Sequence, residues 1–431
     1  MPGFGQKPRR MSERLKRFFR ILGPGLVTGA ADDDPSGIST YSVAGASTGF
    51  SMLWIALITT PMMAVVQGMC ERIGMVTGVG LATNMRRRLN PWLLYPLCLS
   101  VIVANTINAG ADLEGMSAAA RLVFGLPHFV WDLLFGAALA LITIFLSYRV
   151  FFAIVKWLTL SLFAYVVTAF VVRPDWLGVF RHLVIPEVHF SSDWLTTLVA
   201  VLGTTITPYL FFWQASLEVE DEKQAGRTTE RQRRGATPQQ IADAHLDVNF
   251  GMIFSNLVAF FIIVTTAATL GAHGKHDIAS AADAARALEP LAGKFAGLLF
   301  AAGMIGTGLL AIPALVGSSA YVVVEVFKLR EGLSQKVSRA PQFYGVLAAG
   351  IGVSVLMGLF EVNPIAALFW SAVINGVVAV PLLAVIVAFA SDRRVLHEWT
   401  SSLTARIWGW ATVAAMLLAA IGMFAFWGKG S

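Results

Sequence analysis

Long apolar runs separated by short polar punctuation fill this chain almost from end to end. Eleven of them approach or exceed the roughly 20 residues that a helix needs to cross a hydrocarbon core. The pattern predicts helices near 21–48, 51–71, 92–125, 128–147, 150–172, 194–221, 244–270, 291–325, 342–361, 364–390 and 404–427. Between the sixth and seventh, the stretch Glu220 to Gln240 is rich in Glu, Arg, Gln and Thr and has no apolar period to bury, so it reads as a mobile cytoplasmic loop. No soluble domain fits between the runs. The expected fold class is an all-α polytopic membrane protein, with a basic cytoplasmic segment over 1–20 followed by one transmembrane domain over 21–427.

Two of the eleven runs are interrupted at matching places. The first contains VTGAADDDPSGIST, in which Gly29 stands six residues before Pro35; the sixth contains VLGTTITPYLFFWQ, in which Gly203 stands five residues before Pro208. Each proline follows a polar residue, Asp34 or Thr207. Proline removes a backbone donor and clashes with the preceding turn, so carbonyls upstream of it lose their intrahelical partners and become potential cation ligands. Unwound backbone at membrane depth survives only where it is buried in protein or lines a cavity, and paired breaks in two halves point to a transporter site. Helices one to five, about 21–172, and six to ten, about 194–390, then form two inverted repeats, with an extra helix at about 404–427. Asp34 sharpens the picture. A carboxylate near mid-membrane costs at least ~2.5 kcal/mol unless paired or hydrated, and helix one offers no basic partner beyond Arg20. Its expected partner is a bound cation, whereas Asp32 and Asp33 read as a solvated helix end facing a vestibule.

Composition excludes the soluble classes, because a chain that is 56% hydrophobic and 13% charged cannot cover a water-exposed surface. Its net charge of +6 resides largely in loops between alternate helices, including Arg86, Arg87, Arg88, Lys223, Arg227, Arg233, Lys328 and Arg330. That asymmetry is a topology signal rather than a nucleic-acid footprint. It predicts a cytoplasmic N-terminus and, with an odd helix count, an external C-terminus in a bacterial-type plasma membrane. Cys70 and Cys98 fall inside apolar runs and read as small buried hydrophobes. The basic stretch Lys7 to Arg20 leads into an apolar run broken by three aspartates without a plausible cleavage site, so no removable signal peptide is expected. The seven histidines lie in loops or near helix ends and read as solvated or interfacial residues, not ligands.

With these residues in view, the sequence resembles the Nramp family of divalent metal transporters, which implies a leucine-transporter-type fold with broken helices 1 and 6. GPGLVTGAADDDPSGISTYSVAGASTGFSMLW looks like the family's first helix, with Asp34 and Pro35 of its Asp-Pro-Gly-Asn break retained. VVQGMCERIGMVTG resembles the second helix, Asp112 in NAGADLEG falls where the third carries an Asp, and TPYLFFWQAS falls on the broken sixth. The resemblance implies that Asp34 is the charged ligand, with the carbonyls of Ala31 and Thr204 and the Thr207 hydroxyl reaching the ion directly or through water. Departures fall on the residues that choose the ion. Gly37 replaces the motif's Asn and contributes only space, and Thr207 replaces the sixth-helix Met. Loss of the thioether leaves an oxygen ligand set suited to hard cations, as in the Nramp-related magnesium transporters. The proton route also differs: Tyr209 and Gln214 stand where histidines are expected, and Gly115 where helix three carries an acid. Glu114, one residue away, is rotated by about 100° onto another face and reads as a vestibule acid.

The expected function is membrane transport of a divalent cation, Mg²⁺ or another hard ion, without proton coupling. The alternatives are a proton-coupled Mn²⁺ or Fe²⁺ importer, and an organic-solute carrier on the same fold, whose carboxylate substrate Asp34 would repel. An enzyme finds no support, since no His–acid pair, P-loop or nucleophile motif lies near the breaks. No resident cofactor is implied; the expected partners are the transported ion and the lipid bilayer, with no nucleic acid, and the sequence leaves the oligomeric state open.

Overall fold

Proline in the first turn opens most of the long helices, because its missing N–H is one of the donors that a helix start leaves unbonded anyway. In the computed structural model, which describes residues 23–145, 160–330, 332–333, 335–360 and 362–427, this holds for α1 (Pro24–Asp32), α2 (Pro35–Thr48), α5 (Pro91–Phe124), α10 (Pro208–Gln224), α12 (Pro238–Thr269), α14 (Pro341–Met357) and α15 (Pro364–Ser391). The other principal helices are α3 (Leu53–Thr77), α4 (Leu81–Arg88), α6 (His128–Phe145), α7 (Phe163–Val172), α8 (Trp176–Val184), α9 (Ser192–Thr205), α11 (Glu230–Arg233), α13 (Ala296–Val326) and α16 (Leu403–Phe426). No strand occurs among the described residues. The expected basic segment 1–20 and the first part of the helix expected at 150–172 lie outside them.

Nine helical stretches among the described residues are long and apolar enough to cross a membrane. The broken first helix and the shorter Leu160–Val172 stretch complete the pattern expected from the sequence. The interrupted helix α9–α10 and helix α13 are buried along most of their length, while α6, α14 and α16 expose apolar side chains such as Leu141, Phe145, Leu356 and Leu418. Packed helices that bury the polar side chains of the breaks, inside an exterior of exposed apolar ones, are the arrangement that a bilayer solvent demands.

Close helix crossings set the core. Gly29 of α1 packs on Gly251 of α12, and Gly203 of α9 on Gly376 of α15; a Cβ at Gly29 or Gly203 would run into the facing backbone. Small residues there let the backbones approach, as packing without a hydrophobic drive requires. The start of α1 is held from outside its own segment, because Asp247 of α12 accepts the N–H groups of Gly23 (2.9 Å), Gly25 (2.7 Å) and Leu26 (3.0 Å).

The expected mobile loop is instead folded. Helix α10 continues to Gln224, α11 forms one capped turn, and α12 begins at Pro238 behind a capping box of Thr237 and Gln240. Buried Arg233 donates to the carbonyls of Gly78 (2.9 Å), Arg227 (3.2 Å) and Thr228 (2.9 Å), and Gly235 N–H bonds Val76 O (2.9 Å). Polar composition alone predicts disorder here. The segment is organised because one guanidinium satisfies three carbonyls at once, a tertiary relation that local periodicity does not display. On its exposed side, Glu230 makes a two-pronged pair with Arg87 and a second pair with Arg234, and the Arg87 hydrogen bond above all holds its carboxyl down to about 2.

Candidate cation site

Helix α1 ends at Asp32 and α2 starts at Pro35; α9 ends at Thr205 and α10 starts at Pro208. In a continuous helix the nitrogens of Pro35 and Pro208 would face the carbonyls of Ala31 and Thr204, four residues earlier, and proline has no hydrogen to offer them. Each break therefore presents the negative end of one half-helix beside the positive end of the next.

The two breaks are tied to one another reciprocally. Tyr209, in the first turn of α10, donates its hydroxyl to Ala31 O of α1 at 2.6 Å, and Ser36, in the first turn of α2, shares a 3.4 Å hydroxyl contact with Thr204 of α9. A further link joins Tyr41 and Thr205 at 2.9 Å. One lone pair of the Ala31 carbonyl is thus in use and the other remains available.

Asp34 is the N-cap of α2. Its Oδ1 accepts Gly37 N–H at 2.7 Å and the Ser36 hydroxyl at 2.8 Å, and its Oδ2 accepts the Asn108 amide at 3.0 Å. The same amide reaches Asp112 Oδ2 at 3.5 Å, while Asp112 Oδ1 accepts Ser36 N–H at 3.1 Å. Asn375 of α15 donates in turn to Asn108 Oδ1 at 3.3 Å. Asp32 and Asp33, expected at a solvated helix end, are instead buried, 1% and 2% exposed, and accept the Ser255 hydroxyl at 2.5 and 3.2 Å. The reason is the crossing of α12, which carries Ser255 over the end of α1 where the sequence shows only a polar run. Four carboxylates are therefore buried around one break, and no Lys or Arg pairs with any of them among the described residues.

Thr207 caps α10 by position alone: its buried Oγ1 has no hydrogen-bond partner. A buried hydroxyl left without a partner costs about 1–3 kcal/mol, which a passing ion or water would relieve. The space attributed to Gly37 is narrow here, since a Cβ on it would lie 3.3 Å from Thr204 Oγ1, 3.4 Å from Tyr41 Cε2 and 3.5 Å from Asp34 Oδ1. Gln214 points away from the breaks to Glu218, one turn further along α10, at 2.8 Å. Glu114 also sits apart, against His128 and Asp132. Sequence reasoning missed Asn108, Ser36, Asn375 and Asp247. Asn108 was within reach, because it precedes Asp112 by four residues and so shares its helix face.

The Natural resistance-associated macrophage protein-like (Nramp) family profile matches residues 25–425, nearly the whole chain. The chain belongs to the Nramp family. Among curated relatives, the divalent metal cation transporter MntH of Erwinia tasmaniensis is 26% identical over 347 residues, covering 79% of this chain and 80% of its own length. The protein of that name from Ralstonia nicotianae is 31% identical over 309 residues, 68% of this chain and 66% of its own. That from Listeria innocua is 23% identical over 407 residues, 92% and 87%. In structure, the Eremococcus coleocola manganese transporter in complex with an aromatic bis-isothiourea substituted compound superimposes with a TM-score of 0.75 at 17% identity, covering all of this chain and 91% of the other. A nucleobase-cation-symport-1 family transporter in a closed conformation gives 0.52 at 14% identity, covering 95% and 93%. This Nramp protein thus has the inverted-repeat, leucine-transporter-type fold with broken helices 1 and 6. It is an integral membrane transporter of divalent metal cations and not an enzyme.

Proposed function

We propose that the cargo is a hard divalent cation, Mg²⁺ first, held between the two breaks by Asp34, the carbonyls of Ala31 and Thr204, and the Thr207 hydroxyl. The observation that carries this reading is the cluster of buried carboxylates at the break with, among the described residues, neither a basic partner nor a sulfur or imidazole among the hydrogen-bonded groups. Carboxylate, hydroxyl and carbonyl oxygens suit Mg²⁺ and Mn²⁺, and Mg²⁺ keeps several of its own waters at about 2.0–2.1 Å. Asn108 and Ser36 hold Asp34 in place, and Asp112 accepts in turn from both of them. Asp32 and Asp33 add negative potential along the path, and Gly37 keeps a side chain out of it. We further read the N-terminus as cytoplasmic and the C-terminus as external, from the basic loops. Transport then follows from rocking of the half-helices about the breaks, which closes one side as the other opens.

A proton-coupled Mn²⁺ importer is the second reading, and the similar Eremococcus coleocola protein, a manganese transporter, favours it. The two differ in coupling. A phenol and an amide do not exchange a proton near neutral pH, so ion uptake past Tyr209 and Gln214 carries no proton through these positions. Purified protein in liposomes, offered Mg²⁺, Mn²⁺ and Ca²⁺ while lumenal pH is recorded, tests both. Millimolar Mg²⁺ is expected to enter, or to compete with Mn²⁺, without lumenal acidification. Micromolar Mn²⁺ entry with a matching pH change and no effect of Mg²⁺ would establish the second reading and refute the first.

A further inference from the structure

Helix α5 reaches two clusters of carboxylates. Asp112 faces α2, whereas Glu114, two residues and about 200° further round, faces the first turns of α6. Helix α6 begins at His128 after the Gly125 turn, and His128 and Asp132 are four apart, hence on one face. His128 Nδ1 lies 3.5 Å from Glu114 Oε2 and 3.2 Å from Asp132 Oδ2, and one ligand atom from each of the three residues fits within 4.8 Å of the others. Glu114 and Asp132 are 5% and 2% exposed, yet Glu114 Oε1 and Asp132 Oδ1 have no hydrogen-bond partner. The segment after α14 closes the site. A Cβ built on Gly358 would stand 2.5 Å from Glu114 Oε1 and 2.8 Å from Asp132 Oδ2, so both carboxylates converge on the bare backbone of that residue. The cluster borders an open cleft of roughly 1230 Å³, lined also by Arg121, Ser280 and Asn363, which gives it access from solution.

We propose that Glu114, His128 and Asp132 form a second cation site, separate from the transport site, for a divalent transition ion such as Zn²⁺. Two carboxylates from two helices supply charge, and the imidazole selects Zn²⁺ over Mg²⁺, which prefers oxygen alone. The site pins α5 to α6 beside the segment that follows α14, at the end of the bundle opposite the Arg86–Arg88 loop. His128 thereby departs from the expectation that the histidines are not ligands, because the α5–α6 turn folds it back onto Glu114. An imidazolium shared by both carboxylates is the other arrangement these atoms allow, and such a triad takes up no ion.

The test uses the full chain carrying Asp34→Asn, which removes the transport ligand, purified in detergent and titrated with Zn²⁺ by calorimetry and with Co²⁺ by visible absorption. One ion per chain is expected, with the d–d bands of a nitrogen- and oxygen-bound Co²⁺. Adding His128→Gln should weaken binding by at least about tenfold. Gly358→Ala, at an ordinary helical φ of −59°, should do the same without altering any ligand, by displacing both carboxylates. Both variants leave the fold intact, judged by elution profile, since His128 is partly exposed and Gly358 needs no special backbone. Absence of saturable binding in the parent, or equal binding after His128→Gln, overturns the proposal.

Discussion

Tyr209 donates its hydroxyl hydrogen to the carbonyl oxygen of Ala31 at 2.6 Å, so a side chain from one broken helix satisfies the backbone exposed by the other. Tyr209→Phe keeps the ring and leaves that carbonyl bare. The variant should lose about 1–3 kcal/mol of stability without ion, and the deficit should shrink at saturating Mg²⁺, when the ion takes over the carbonyl. Melting temperatures with and without Mg²⁺ read this out. An equal deficit in both conditions would remove Ala31 from the ligand set.

Asp34→Asn should abolish uptake in liposomes while the protein remains monodisperse. The change retains one acceptor for Gly37 N–H and Ser36, removes the fixed charge, and sets two amides face to face at Asn108, which can rotate to accommodate it. Wild-type uptake rates would place the site elsewhere.

Selectivity should shift only when two positions change together. Thr207→Met with Gly37→Asn restores a thioether and an amide, so the double variant should gain Mn²⁺ or Cd²⁺ over Mg²⁺. The Cβ contacts at Gly37 require Thr204 to yield by a few tenths of an ångström, so the single variants decide nothing. Competition of Mg²⁺ against Mn²⁺ in wild type and double variant is the measurement, and an unchanged ratio would show that these positions do not choose the ion.

Asp247→Ala should loosen the start of α1, because three N–H groups lose a charged acceptor. A loss of about 1–3 kcal/mol is expected from hydrogen bonds to a charged group, read as a lowered melting temperature. A melting temperature within error of wild type would mean that water caps the helix as well as Asp247 does.

The order of helices, the two breaks and the residues flanking them were legible in the sequence, because apolar length and proline chemistry are local properties of the chain. Pro35 and Pro208 announce unbonded carbonyls wherever they stand in a helix, and Asp34 without a basic neighbour in its helix marks a carboxylate that needs partners from elsewhere. Packing decided the remainder. Asp32 and Asp33 are buried only because α12 crosses over them, and Asn108 and Asn375 join the site only because α5 and α15 pass it. Arg233 orders a polar loop by reaching back to the Gly78 carbonyl, 155 residues away in the chain. Glu114 and His128 meet because a tight turn folds α6 back along α5. Such contacts depend on the relative placement of helices, which backbone periodicity within each helix does not encode.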